Sequence, residues 1–299
     1  MYHFLYLIVY LHAVLPWKVL YLMADFLYCW IYHIAGYRKK IVRKNLTQAF
    51  PEKTPNEITC IEREFYHFFC DYIVETMKLA HISDDEMRRR MVFKNVDMLN
   101  DWLSTGKSCV MLLGHYGNWE WVSSLCLHWR KEIVAGQIYH PLNDKAFDRL
   151  LLKLRSRFGA VNIPMKNTLR EIVRMRKSDI QYIIGFIADQ RPLLTAIDYW
   201  TTFLNRETPM IDGFERIARQ TGCFVAFLDV ARTGRGYYEA TFSLVSQDAS
   251  TCQPFEIVEK YARAMEKCIC KNPAHWLWTH DRWKFKKADW LKMKDKTNS

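Results

Sequence analysis

The chain has 299 residues, of which 50% are hydrophobic and 15% aromatic, so it carries enough apolar side chain for a substantial core. This composition excludes intrinsic disorder over most of the chain, and the low counts of 11 Gly and 9 Pro exclude fibrous and low-complexity classes. The 43 Lys and Arg exceed the 32 Asp and Glu, and the net charge of +11 favours an anionic partner: a nucleic acid, an anionic membrane or an acidic protein.

The N-terminal segment from Met1 to Tyr37 is apolar and contains only Lys18 and Asp25 as charged residues. A cleavable signal peptide carries its basic residues before the apolar core, whereas here the basic cluster Arg38–Lys44 comes afterwards. We therefore expect the segment to be retained in the mature protein.

Pro16 divides this segment into two pieces that are each slightly shorter than the roughly 20 residues needed to span a bilayer. We predict a membrane-anchoring or interfacial helical segment over residues 1–37, followed by a catalytic domain over residues 38–299. If the segment spans, the basic flank places the catalytic domain in the cytoplasm. The alternative is a helix pair buried in the globular core.

The rest of the chain alternates between helical and strand patterns without a linker. Helices are predicted over 57–79, 84–91, 118–129, 146–158, 168–176, 213–220 and 255–270, and strands over 107–113, 133–139, 180–188 and 223–231. Strands separated by helices indicate an α/β sheet covered on both faces, with functional groups in the loops that leave the strand ends.

The nine cysteines are scattered, mostly within apolar stretches, which indicates reduced and buried thiols in a cytoplasmic environment. Cys268 and Cys270 are too close for the Cys-x-x-Cys spacing of a zinc site, and no other pair has that spacing. We expect no metal and no cofactor.

The segment from Gly114 to Glu120 follows a predicted strand and opens a predicted helix, where an α/β fold presents side chains to a cleft. A histidine here, His115, is suited to general-base chemistry, and Glu120 lies one turn into the helix and is expected to hold the imidazole. The same spacing occurs at His81 and Glu86, so only the context distinguishes the first pair. The alternative for His115 is a capping or buried histidine.

Motifs of several other enzyme classes are absent from the sequence. It contains no Gly-x-Ser-x-Gly, no Gly-x-x-x-x-Gly-Lys-Ser/Thr and no Gly-x-Gly-x-x-Gly. The sequence therefore lacks the motifs that usually indicate a serine esterase, a nucleotide hydrolase or a dehydrogenase. A base without a protein nucleophile suggests direct transfer to a substrate hydroxyl.

Six short motifs occur in order along the chain: Tyr37-Arg38 with Arg43–Leu46 and Phe50–Glu52; Gly114–Glu120; Tyr139–Asn143; Arg155 with Phe158-Gly159; Ala188–Gln190; and Trp276–Lys284. Each is weak alone, but together they are specific. With them the chain resembles, over nearly its whole length, the late lauroyl/myristoyl acyltransferases of bacterial lipid A biosynthesis, within the lysophospholipid acyltransferase-like superfamily.

This resemblance implies an α/β fold with a mixed central sheet flanked by helices, as in the glycerolipid acyltransferases. It also implies transfer of a fatty acyl chain from an acyl carrier protein thioester to a hydroxyl of a lipid A precursor. The expected location is the cytoplasmic face of the bacterial inner membrane. The expected pathway is lipopolysaccharide biosynthesis. Acceptor lipids of the same chemistry, such as an aminolipid or a glycolipid, remain the alternative.

The resemblance also implies roles for individual residues. By matching position, His115 is the general base, Glu120 its partner, and Arg155 completes the catalytic set. Substrate-binding positions are Asn118, Asp189, Gln190 and Arg282. From the residues alone, Arg155 could equally be a solvated helix charge and Asp189 a turn or capping residue. The oxyanion of the reaction needs a donor, for which Arg155 or backbone amides near Asn118 are candidates.

Three features bear on the substrate. His140 stands where the family's Tyr-x-Pro motif usually has Arg, and Phe203-Leu204-Asn205 replaces a usual Phe-Phe-Gly where part of the acyl or acceptor pocket is expected. The block from Trp276 to Trp283 suits either a membrane surface or the closing of a core.

Two other classes of function agree with parts of the sequence. A nucleic-acid-binding protein agrees with the net charge, but the basic residues are dispersed, and an apolar N-terminus has no role there. No nucleic-acid partner is expected. A membrane-tethered scaffold without catalysis is the remaining alternative, and loss of acyl transfer on changing His115 would distinguish an enzyme from it.

Overall fold

The computed structural model describes residues 1–128 and 132–298. The α-helices in these ranges are α1 (Tyr2–Val14), α2 (Trp17–Tyr28), α3 (Lys39–Ala49), α4 (Pro55–Lys78), α5 (Asp84–Arg90), α6 (Val96–Ser104), α7 (Lys145–Arg155), α8 (Thr168–Lys177), α9 (Gly213–Thr221), α10 (Glu256–Lys271) and α11 (Lys287–Asn298). The strands are β1 (Met91–Lys94), β2 (Cys109–Leu113), β3 (Val134–Tyr139), β4 (Val161–Pro164), β5 (Tyr182–Ile187), β6 (Tyr199–Phe203), β7 (Arg206–Met210), β8 (Phe224–Gly234) and β9 (Tyr237–Ser246). A π-helix covers Cys29–Ala35, and a 3₁₀ helix covers Trp119–Leu127.

A seven-stranded mixed sheet forms the centre of the molecule, in the order β1-β9-β8-β2-β5-β3-β4. Neighbouring strands run parallel except β8 and β9, which are antiparallel. Helices cover both faces, so successive strand residues enter different cores: Ile183 packs with α7, and Ile184 packs with α8. The predicted mixed α/β sheet flanked by helices is confirmed.

Every predicted strand and helix of the body has a counterpart, with ends that differ by a few residues. The helix predicted from Asn118 to Trp129 is a 3₁₀ helix, and Trp129 lies outside the described residues. The sequence patterns did not reveal the helices α3, α6 and α11, the β6–β7 hairpin, or the strands β1, β4 and β9. Of the nine cysteines, Cys29, Cys60 and Cys270 are exposed, so the expectation of burial is wrong for these three.

Helix α4 is the long helix on which the N-terminal segment packs. The side chain of Thr54 accepts a hydrogen bond from the backbone of Glu57, and the Glu57 carboxylate accepts one from the backbone of Thr54, which forms a capping box; Pro55 occupies the first turn. One side of the helix is buried along its whole length, including Phe65 and Glu75. The capping and the amphipathic pattern explain why this helix was predictable.

The N-terminal segment breaks at Pro16, as its sequence predicts. Helix α1 and the helical stretch Trp17–Ala35 meet at an angle of 116°. Among the described helices, none alone is long and apolar enough to cross a bilayer, whereas this bent pair together has the required length and composition.

Each of the two N-terminal helices has one buried and one exposed apolar side. Val9, Ala13, Leu20, Ala24 and Tyr28 pack into the body, and a larger set is exposed: Phe4, Leu7, Ile8, Leu11, Val14, Val19, Leu22, Met23, Phe26, Trp30 and Ile34. The segment therefore has features of both interpretations. One side is buried, as in a core helix pair, and the other side is an exposed apolar surface, as in a membrane-associating segment. The division between residues 1–37 and 38–299 stays a prediction.

Candidate active site

The strands β2 and β5 bring a histidine and a carboxylate together. They are parallel neighbours in register, with Leu113 opposite Ile187. His115 and Asp189 each follow that register pair by two residues, so both leave the sheet at the same edge and at the same height.

Asp189 holds the backbone and the ring of His115. The Nδ1 atom of His115 lies 2.7 Å from Oδ1 of Asp189, and the His115 backbone N–H donates to Oδ2 at 2.9 Å. The indole Nε1 of Trp276 donates to the same Oδ2 at 2.6 Å. Asp189 is 2% exposed, whereas the imidazole of His115 is 19% exposed, so the ring reaches solvent and its carboxylate partner does not.

The hydrogen bonds assign the proton of the imidazole. Burial by itself would raise the pKa of Asp189, but His115 and the N–H donors around the carboxylate outweigh it and hold that pKa below its usual value. An ionised Asp189 can only accept, so Nδ1 of His115 is the donor in this hydrogen bond, and in the neutral ring the lone pair is on Nε2. The Nε2 atom of His115 lies 3.3 Å from the side-chain amide nitrogen of Gln190, which is therefore the donor.

Glu120 does not pair with His115, so the predicted dyad of these two residues is wrong in its geometry. Glu120 instead accepts two hydrogen bonds from Arg155, at 2.8 Å from Nε and 2.6 Å from Nη2. Asp189, which was expected to bind substrate or to serve as a turn or capping residue, is instead the carboxylate that contacts His115. The reason is that Glu120 points from its 3₁₀ helix towards the end of α7, while Asp189 shares the strand edge with His115.

Arg155 is not a solvated helix charge. Its side chain is only 22% exposed, and its guanidinium donates to both carboxylate oxygens of Glu120. Burial would lower the pKa of Arg155, but the charge of Glu120 and the hydrogen bonds to it raise the pKa above its ordinary value. Tyr72 packs nearby, with its hydroxyl 3.5 Å from Oε1 of Glu120. The pair is therefore a fixed ionic unit beside His115.

Two predicted substrate-binding residues, Asn118 and Arg282, are buried rather than open to a ligand. The side chain of Asn118 donates to Glu75 at 2.8 Å and accepts from the backbone of Trp121, so it caps the 3₁₀ helix. The guanidinium of Arg282 donates to the carbonyl of Pro209 at 2.6 Å, and burial lowers its pKa to about 10. Both side chains therefore make contacts within the protein rather than facing a ligand.

The segment around Trp276 fixes the loop that carries His115. Leu277 donates its backbone N–H to the carbonyl of His115, and Gly117 donates to the carbonyl of His275, both at 3.0 Å. Gly117 has a φ of +62°, and a Cβ atom there would lie 2.1 Å from the carbonyl oxygen of Val230, so only glycine fits. The tryptophans of this block are buried, which supports the interpretation of the block as part of the core.

A cavity of about 670 Å³ opens beside His115. Glu120, Arg155 and Gln190 also line it, whereas Asn118 and Arg282 do not. Most of the remaining wall is apolar and includes the bare backbone of Gly185 on β5. Three exposed apolar side chains border the same cavity, Leu142, Met165 and Leu193, so it opens to the surface there.

A family model for bacterial lipid A biosynthesis acyltransferases matches residues 1–285. The chain belongs to this family. It is therefore an acyltransferase, as the resemblance implied. No curated protein sequence matches the chain.

Within this acyltransferase the two departures from the family pattern lie in different places. His140 is exposed and borders the cavity. Phe203 and Leu204 are buried in the turn of the β6–β7 hairpin, and Asn205 donates to the carbonyl of Ala49. The hairpin turn does not line this cavity, whereas it was expected to form part of the acyl or acceptor pocket.

The sequence patterns did not reveal the pairing of Asp189 with His115 or the contact of Trp276 with Asp189. A signal for the first was present, because each residue follows its predicted strand at a similar offset. Trp276 is distant in sequence, and nothing in its local pattern indicates this contact.

Proposed function

We propose that this acyltransferase moves a fatty acyl chain from an acyl carrier protein thioester to a hydroxyl of a lipid A precursor, with His115 as general base. The observation that carries the proposal is the His115–Asp189 pair at the edge of an apolar cavity. The imidazole exposes its unprotonated nitrogen to the cavity, and the cavity offers apolar surface for an alkyl chain.

The proposed chemistry uses the Nε2 atom of His115 twice. It removes the proton of the acceptor hydroxyl while the hydroxyl oxygen attacks the thioester carbonyl, which gives a tetrahedral oxyanion. When the intermediate collapses, the C–S bond breaks, and the imidazolium returns its proton to the departing thiolate. Asp189 stays ionised throughout and stabilises the imidazolium across 2.7 Å.

Gln190 is the candidate donor to the oxyanion. Its amide nitrogen lies 3.3 Å from Nε2 of His115, so it occupies the position that an acceptor hydroxyl must take. When the hydroxyl binds, the amide is displaced by a short distance and can donate to the neighbouring carbonyl oxygen. Arg155 is bound by Glu120 and is the less suitable donor; we propose that this pair orients the polar part of the substrate.

The exposed apolar sides of α1 and α2 support a place at the inner membrane, with the catalytic domain on the cytoplasmic side. Phe4, Leu11 and Phe26 are each at least 60% exposed and belong to this surface, and the basic residues of α3 follow it directly in the chain. Large exposed apolar surfaces flanked by basic residues are typical of attachment to anionic lipid. We propose that α1 and α2, which meet at the bend at Pro16, lie in the membrane interface.

The proposed reaction is tested with the purified full-length protein, an acyl carrier protein thioester and a lipid A precursor, with the product identified by mass. His115→Ala should abolish product formation without loss of folded protein, because a methyl group cannot accept the proton. His81→Ala is the matched control, since His81 begins the second His-x-x-x-x-Glu sequence and is exposed.

Activity of His115→Ala within a few fold of the unaltered protein would contradict the role of His115. If the unaltered protein acylates an aminolipid or a glycolipid and leaves the lipid A precursor unchanged, the alternative acceptor is correct.

The membrane attachment is tested by vesicle flotation. The triple variant Phe4→Asp, Leu11→Asp and Phe26→Asp should lose binding to anionic vesicles and keep its activity on detergent-dispersed acceptor, because these side chains are exposed. Leu291→Asp, an exposed leucine on α11, is the control. Unchanged flotation of the triple variant would remove these helices from the membrane surface.

A further inference from the structure

Helix α8 presents an exposed face that is both basic and apolar. Thr168, Ile172 and Met175 are buried, and the opposite side exposes Leu169, Arg170, Val173, Arg174, Arg176 and Lys177. Leu169 and Val173 are 53% and 41% exposed, so two apolar side chains lie among four cations. The acidic residue of this helix, Glu171, lies 2.9 Å from Arg174 and 3.8 Å from Arg170. The face keeps a positive net charge.

The N-terminal end of α8 borders the cavity that contains His115. Thr168 lines the cavity, and so does Met165 in the short 3₁₀ turn directly before the helix. Met165 is 54% exposed, so the cavity is open to solvent at this end of α8. A partner bound along α8 would therefore lie next to an entrance of the site.

The α8 surface is separate from the exposed apolar surface of α1. Helix α1 packs with α7 in the core on one face of the sheet, through residues such as Val9 and Leu150. Helix α8 packs on the other face, through Ile172 and Met175. Neighbouring residues of β5 confirm the separation, because Ile183 belongs to the first core and Ile184 to the second. The α1 surface is apolar, whereas that of α8 is dominated by cations.

We propose that the exposed face of α8 is the docking surface for the acidic carrier protein that delivers the acyl thioester. This inference rests on the proposed function, which requires such a donor. The partner it fits is a small acidic protein with a few apolar side chains among its carboxylates, because Arg170 and Arg174 can pair with carboxylates while Leu169 and Val173 cover apolar contacts. The cations speed encounter and orient the donor towards the cavity.

The test is the charge-reversed variant Arg170→Glu/Arg174→Glu of the full-length protein. Its matched control is Lys267→Glu/Lys271→Glu, which reverses two exposed charges on α10 away from the cavity. Two donors are compared: an acyl carrier protein thioester, and the same acyl group on a pantetheine thioester. Anisotropy of fluorescently labelled holo carrier protein gives the binding affinity directly.

We expect the α8 variant to raise KM for the carrier-protein donor by at least ~tenfold at low ionic strength, with kcat unchanged and with pantetheine kinetics unchanged. The difference should shrink as salt is added, because the charges are exposed. A second variant, Leu169→Ser/Val173→Ser, should weaken binding to the carrier protein by an amount that salt does not alter.

The proposal is overturned if the α8 variant and the α10 control behave alike, or if both donors lose activity equally. It is also overturned if the α8 variant loses binding to anionic vesicles while carrier-protein affinity stays unchanged, because α8 would then face a membrane. A failure of the proposed function gives a different result. In that case the unaltered protein transfers no acyl group from the carrier protein, whether or not it binds the carrier protein.

Discussion

The replacement Asp189→Asn is the sharpest test of the site, because it changes one oxygen to a nitrogen in a fully enclosed position. In the native site Oδ2 of Asp189 accepts from both the His115 backbone and Trp276, so the remaining oxygen of an asparagine is expected to stay there. The new NH₂ group then faces Nδ1 of His115. The ring must accept that hydrogen bond, its proton moves to Nε2, and the base is lost from the cavity side.

The size of the effect follows from the charge that is removed. An imidazolium and a carboxylate about 4 Å apart at an effective dielectric constant of about 20 interact by about 4 kcal/mol. Loss of that interaction in the transition state slows turnover about a thousandfold, and the wrong tautomer slows it further. The equivalent change in serine hydrolases slows turnover about ten-thousandfold. We therefore expect kcat to fall by roughly three to four orders of magnitude.

The assay is steady-state transfer from the carrier-protein thioester, with kcat and KM determined separately. KM should change little, because Asp189 is 2% exposed and does not line the cavity. Asp212→Asn is the control: Asp212 is also buried and lines the same cavity, but it lies 3.4 Å from Arg216 rather than against His115. If turnover by Asp189→Asn stays within tenfold of that by the unaltered protein, or if both variants lose activity equally, the assignment of Asp189 as the partner of the base is refuted.

Neighbouring contacts give three further predictions. Glu120→Gln and Arg155→Lys should each lower kcat/KM, because either change breaks the two-bond pair, and the double variant should lose less than the sum of the two losses in free energy. Additive losses would mean that the two residues act independently. Gly185→Leu should shift the product towards shorter acyl chains by mass spectrometry, because a Cβ there fits at 3.4 Å from Met111 and a longer side chain extends into the cavity. An unchanged chain-length distribution would place the acyl chain elsewhere. Burial, with nearby Arg191 and Arg282, lowers the pKa of His280 to about 4, below its unfolded value of about 6.5. The folded state therefore resists protonation, and this contribution to stability is complete above pH 6.5 and is lost as the pH falls towards 4. In urea unfolding, the loss of stability between pH 7 and pH 5 should be about 2 kcal/mol smaller in His280→Asn than in the unaltered protein, and an equal loss in that variant would exclude His280 as a cause.

The sequence by itself determined most of the secondary structure and one half of the site. Helix α4 was predictable because its capping box and its apolar spacing act within one segment. The position of His115 at the end of a strand was predictable because a strand, two glycines and a helix start surround it locally. Short strands such as β1 and β4 were not, because four residues carry too little pattern to separate them from loops.

Only the tertiary structure decided which carboxylate contacts His115. Sequence spacing favoured Glu120, five residues away, but Asp189 reaches the ring because β2 and β5 are parallel neighbours in register. That pairing joins residues 74 positions apart in the chain. The same holds for the N-terminal segment: its apolar composition is visible in the sequence, but which side of α1 and α2 is buried depends on the packing of α4 and α7 against them. Long-range packing determines both outcomes, and no local pattern contains that information.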